Sequence, residues 1–94
     1  MNIPDDALLL LQCPITRRSM ANAIPALLDR ANHLIDERRL TNRLGDTVDE
    51  LFDGGLVDSA GTWLYAVRDG IVCLLADEAI PLERLGIKQE DALR

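Results

Sequence analysis

Apolar residues recur along this chain in two rhythms. Between Pro25 and Arg39, residues Leu27, Leu28, Ala31, Leu34 and Ile35 fall at offsets 0, 1, 4, 7 and 8, one stripe along a helix. Pro25 suits the first turn of that helix, and Arg38 and Arg39 complement its negative C-terminal end. Pro4, Asp5 and Asp6 predict an earlier helix start, running to about Gln12 and stopping at Cys13-Pro14, because proline disfavours helix in the residue before it. After Gly45 the period shortens. Thr47 to Phe52 and Leu56-Val57 read as short strands between turns at Gly45-Asp46, Asp53-Gly54-Gly55 and Ser59-Ala60-Gly61. Thr62 to Val67 alternates, with Trp63, Tyr65 and Val67 on one face and Leu64 and Ala66 on the other. Asp69-Gly70 predicts a two-residue type I′ hairpin pairing Val67 with Val72 and Tyr65 with Leu74. Ile71 to Leu75 is continuously apolar, as for a strand covered on both sides. The pattern is that of an α+β chain, a small antiparallel sheet with helices packed against it.

Ninety-four residues suit one domain, and 48% hydrophobic with 28% charged residues suits a globular rather than a disordered chain. The apolar run Ala7 to Leu11 is far shorter than the ~18 residues of a membrane span, and Asp5 and Asp6 stand where a secretory signal carries positive charge. A cytoplasmic protein with no membrane partner is the expectation. Cys13 and Cys73 lack metal-knuckle neighbours and are expected to be unbonded.

Charge is uneven: residues 1–16 carry −2, residues 17–43 carry +3, and residues 44–94 carry −7. Arg17, Arg18, Arg38, Arg39 and Arg43 lie in the basic segment, and a nucleic-acid-binding module working through them is the alternative reading of function. Against nucleic acid stand the overall acidity and the scarcity of stacking aromatics. The templates of catalysis are missing: there is no Gly-rich phosphate loop, G-x-S-x-G elbow, H-E-x-x-H or C-x-x-C. His33 falls off the apolar stripe, with no ligand set around it, and Asp49, Glu50 and Asp53 read as a solvated acidic edge. The expectation is a protein that is not an enzyme and needs no cofactor.

Two segments carry a resemblance. Leu8-Leu9-Leu10-Leu11-Gln12-Cys13-Pro14-Ile15-Thr16-Arg17 resembles the opening of the Trm-one-twelve-like proteins, small methyltransferase-activator subunits whose short bacterial relatives are the YcaR-like proteins. The run from Trp63 to Ala79, with its Asp69-Gly70 turn, resembles the closing segment of the same family. The resemblance implies a single domain over residues 1–94, with a zinc-ribbon-like sheet, a helical insertion over residues 18–46 and a frayed tail over residues 88–94. It also implies that the zinc has been lost. The family's first cysteine pair falls on Cys13 and Thr16 and its second near Val57 and Ala60, so three of four thiolates are missing. Val72 stands where the family usually has proline.

The role so implied is that of a non-catalytic adaptor. Relatives bind S-adenosylmethionine-dependent methyltransferases of the translation machinery, adding to the enzyme's sheet and covering an apolar patch. Partner identity and oligomeric state stay open. For the docking surface, the sheet face bearing Trp63, Tyr65, Val67, Val72 and Leu74 is expected to be exposed, since aromatics with a polar tip suit interfaces. A charged residue at Tyr65 should then spare the fold.

Overall fold

The computed structural model describes residues 3–86; the expected frayed tail over residues 88–94 lies outside them. Among the described residues the chain forms helix α1 (Asp5–Leu8), strand β1 (Met20–Asn22), helix α2 (Pro25–Asp36) and strands β2 (Gly54–Asp58), β3 (Trp63–Arg68), β4 (Ile71–Val72) and β5 (Ile80–Pro81), with short 3₁₀ turns over Ala76–Glu78 and Leu82–Leu85. The sheet is antiparallel, in the order β1-β2-β3-β4, and β5 also pairs with β3. The fold is α+β.

The two-residue hairpin forms as its turn chemistry dictates. Asp69 and Gly70 both have positive φ, 54° and 76°, and Val67 pairs with Val72. The following strand is shorter than expected. It ends at Val72, the Cys73 N–H still donates to the Ala66 carbonyl at 3.0 Å, and the chain then leaves the sheet through residues 74–79 and returns as β5 opposite Trp63 and Leu64. Leu74 therefore does not pair with Tyr65. Ile71 and Leu75 are 71% and 60% exposed, so it is not this strand that is covered on both sides.

That position belongs to β2 and β3. Leu64, Ala66 and Val57 face α2, packing with Leu27, Ala31, Leu34, Ile35, Leu40, Phe52 and Ile80. Leu56, Tyr65 and Val67 face the other way, onto Cys13, Met20 and Ala79. The opening segment closes that second side with the half-buried Ile3, Leu8, Leu11 and Ile15. Two thin apolar layers thus sandwich one sheet.

Three sequence-based expectations need correction. Helix α1 stops after one turn, because Leu9 and Leu10 find no surface to cover and remain 86% exposed. Residues 18–46 are not purely helical: Met20–Asn22 forms an edge strand against Leu56–Asp58. Thr47 to Phe52 makes only an isolated bridge, from Thr47 to Thr41. The Asn32 side chain takes the role of a neighbouring strand there, accepting the Phe52 N–H at 2.8 Å and donating to the Phe52 carbonyl at 3.0 Å.

Gly55 lets α2 approach the sheet. A Cβ on Gly55 would lie 2.9 Å from Leu64 Cδ1, 3.0 Å from Leu28 Cδ2 and 3.4 Å from Ala23 Cβ. Leu64 is wholly buried and cannot yield freely. Gly55→Ala is expected to cost about 1–3 kcal/mol by overpacking. Urea titration should show a lower midpoint at unchanged slope; an unchanged midpoint would mean the helix moves away without penalty.

Candidate functional site

The opening segment folds back on itself around Cys13. The Arg17 N–H donates to the Cys13 carbonyl and the Cys13 N–H to the Arg18 carbonyl, both at 2.9 Å, while Arg17 takes a left-handed φ of 64°. The Thr16 N–H points at the Cys13 sulfur, 3.4 Å away. Between β2 and β3 a second tight turn forms, in which the Gly61 N–H donates to the Asp58 carbonyl at 2.8 Å and Gly61 has φ 69°.

A buried polar network joins these turns. One Asp58 carboxylate oxygen accepts the N–H groups of Thr62 at 2.7 Å and Trp63 at 3.0 Å. The other accepts the Thr16 hydroxyl at 3.0 Å. Cys13 Sγ and Tyr65 Oη lie 2.9 Å apart. Asp58, Cys13 and Tyr65 have no solvent exposure, and no buried side-chain N or O atom among the described residues lacks a partner. Residues far apart in the chain are therefore pinned together by hydrogen bonds.

Electrostatics divide the thiol and the phenol. Burial by itself raises the Cys13 pKa, but the Thr16 hydroxyl and N–H, the Tyr65 O–H and the Ile15 N–H outweigh it and hold the thiol below its ordinary value. Burial first, then the bond to the Cys13 sulfur and the charges of Cys13 and Asp58, push Tyr65 above its ordinary value, with Arg43 opposing weakly. Tyr65 is therefore the donor when the sulfur is ionised. Cys73 differs: burial, then the Glu78 carboxylate that accepts its S–H at 2.9 Å, raises its pKa. Both cysteines are unbonded.

These shifts set a pH dependence. A lowered folded pKa at Cys13 adds stability that is complete above its unfolded value near 9.0 and is lost as pH falls through the folded value. A raised folded pKa at Tyr65 adds stability complete below its unfolded value near 10.0 and lost as pH rises beyond it. Cys73, raised as well, adds stability that is lost above its unfolded value near 9.0, so the urea midpoint should climb towards pH 9 and fall beyond it. Tyr65→Phe should remove the part of the descending limb that lies above pH 10 and leave the shallower Cys73 part, and a limb unchanged in the variant would assign it to another group.

The donor set does not fit a zinc ion. Thr16 and the positions near Val57 and Ala60, where the resemblance would put three cysteines, offer no thiolate. No group of three or more His, Cys, Asp or Glu side chains among the described residues could hold a metal.

The expected docking face is not open. Tyr65 and Val67 are fully buried beneath the opening segment, while Trp63, Val72 and Leu74 are half-buried in the same cluster. Sequence reasoning placed these five residues on one face and missed what covers it. It also passed over Asp58, although an aspartate just before a turn is a recognisable signal for capping the turn's N–H groups. Arg17, Arg18, Arg38, Arg39 and Arg43 are all exposed, with Arg39 paired to Glu37 and Arg43 to Asp77, each at 3.4 Å. No helix among the described residues is long and apolar enough to cross a membrane.

Comparison with known proteins places the fold alone. No family model matches the chain, and no curated protein matches it. It is similar to the solution NMR structure of a structural-genomics target from Xylella fastidiosa, with a TM-score of 0.70, 24% sequence identity, and coverage of 87% of this chain and 86% of that one.

Proposed function

We propose that this chain is a metal-free relative of the Trm-one-twelve-like proteins and acts in the cytoplasm as a non-catalytic adaptor. Its partner would be a protein, in particular an S-adenosylmethionine-dependent methyltransferase of the translation machinery, which it stabilises or activates. One observation carries the reading. The two segments that resemble the family's opening and closing motifs lie 52 positions apart at Cys13 and Tyr65, yet they meet at 2.9 Å. The adjacent Thr16–Asp58 bond joins the same two turns that a shared zinc would join in a zinc ribbon. Hydrogen bonds then do the work of the missing metal in holding the knuckles together. Supporting this, Cys13, Asp58 and Tyr65 have no solvent exposure and are bonded to one another's turns. Purification of the tagged chain from its native cell, with partners identified by mass spectrometry, tests the proposal. A methyltransferase recovered in stoichiometric amount supports it. A chain that repeatedly returns without one overturns it.

A further inference from the structure

We propose that the groove between the loop at Leu44 and the 3₁₀ turn after Leu75 is where a partner protein docks, through a segment carrying an aliphatic side chain flanked by lysine or arginine. The inference rests on the adaptor reading and adds the surface and the chemistry of its partner. Leu44 and Leu75 are 63% and 60% exposed, yet they line one recess of about 390 Å³ together with Asn42, Asp46, Ala76, Asp77 and Glu78. Solvent-facing leucines that share a concavity mark an interaction site more strongly than scattered ones.

The recess is built rather than incidental. Its two walls are joined by backbone hydrogen bonds, from the Leu44 N–H to the Asp77 carbonyl at 3.2 Å and from the Arg43 N–H to the Ala79 carbonyl at 2.7 Å. Asn42 fixes the turn beneath Leu44, its side-chain oxygen accepting the Asp46 N–H at 3.0 Å. The Arg84 guanidinium braces the same turn by donating to the Thr41 and Asn42 carbonyls. Held this way, the backbone carrying the two leucines loses little further freedom when a partner covers them, which favours binding.

Charge selects the occupant. Three carboxylates rim the groove, at Asp46, Asp77 and Glu78. Arg43 pairs with Asp77 at 3.4 Å, whereas Asp46 and Glu78 enter no ion pair among the described residues. The rim is therefore net negative on a chain of net charge −6, and cationic flanks on an aliphatic anchor complement it.

The test uses the full chain, ¹⁵N-labelled, and a synthetic peptide of two leucines flanked on each side by paired lysines, with a glutamate-flanked peptide as control. Saturable shifts at Leu44, Leu75, Asp77 and Glu78 are expected, weakened about tenfold in Leu75→Ser and again on raising the salt. Leu44→Ser serves as a second variant, and each variant's own spectrum reports its fold. Shifts centred elsewhere, equal binding of the glutamate peptide, or no saturable shift overturn the proposal; the last is also what a groove filled by residues 87–94 or by a second copy would give. Failures of the two readings separate cleanly. A methyltransferase captured equally by the native and Leu75→Ser chains overturns the groove alone, whereas specific peptide binding with no methyltransferase recovered overturns the adaptor reading alone.

Discussion

Tyr65→Asp is expected to unfold the protein. The Tyr65 ring has no solvent exposure and packs in the layer formed by Cys13, Met20, Leu56, Val67 and Ala79. Removing a buried aromatic costs about 3–5 kcal/mol through lost transfer energy and the cavity left behind. Aspartate is too short to reach the Cys13 sulfur that the Tyr65 hydroxyl meets, so it buries a carboxylate without that partner, and an uncompensated buried charge costs several kcal/mol more. Together these rival the ~5–15 kcal/mol that holds a typical small domain folded. Collapse of NMR dispersion and of the circular-dichroism signal should report the loss. A folded Tyr65→Asp chain with a near-native urea midpoint would show that the opening segment does not pack over this face.

That outcome reverses what the sequence suggested for the same residue, and the reason lies in what local patterns can encode. The Asp69-Gly70 turn is legible because two consecutive positive φ values demand those residue types, and the register from Val67 to Val72 follows from turn length. Helix α2 is legible because its stripe repeats over three turns, and Leu27, Ala31, Leu34 and Ile35 are all buried. The cover over Tyr65 is not. Leu8 and Leu11 are three apart while Leu11, Cys13 and Ile15 alternate, so no single period runs from Ile3 to Ile15, and only the fold-back at Arg17 aims these residues at one surface.

Other differences have the same origin in long-range pairing. Met20-Ala21-Asn22 has no β-branched residue and becomes a strand because β2 offers an edge. Phe52 has strand-like neighbours in sequence, yet the Asn32 amide from α2 satisfies its backbone instead. Arg68 holds the preceding loop by donating to the Glu50 and Leu51 carbonyls at 3.0 and 3.2 Å, with its guanidinium 5.0 Å from the Phe52 ring centre. Ile71 to Leu75 reads as a strand by composition, but the chain must turn outward for β5 to reach Trp63 and Leu64. The excursion exposes Leu75 and thereby makes one wall of the acidic groove. The candidate site was thus half legible: Cys13 and Tyr65 stood out from their segments, whereas Asp58 and Leu44 acquire meaning only from what faces them.

Asp58→Ala is expected to cost about 3–5 kcal/mol, as much as a core truncation, although it removes no apolar surface. One carboxylate serves the Thr62 N–H, the Trp63 N–H and the Thr16 hydroxyl, and alanine takes the acceptor from all three at once. Each bond to a charged acceptor contributes about 1.5–3 kcal/mol, and polar groups stripped of a partner in the interior add their own desolvation penalty. Losing the Thr16 bond also releases the opening segment, whose turn at Cys13 then has the Tyr65 contact as its remaining side-chain tie across to β3. Asp58→Asn separates charge from geometry. Its amide oxygen can still accept both backbone N–H groups, and its NH₂ can donate to the Thr16 hydroxyl oxygen, so a loss of about 1–2 kcal/mol is expected. Urea titrations of the two variants should therefore fall in the order native, Asn, Ala. Equal losses for Asn and Ala would mean that the negative charge itself joins the two turns. A near-native midpoint for Asp58→Ala would mean that the network is not what holds the opening segment to the sheet.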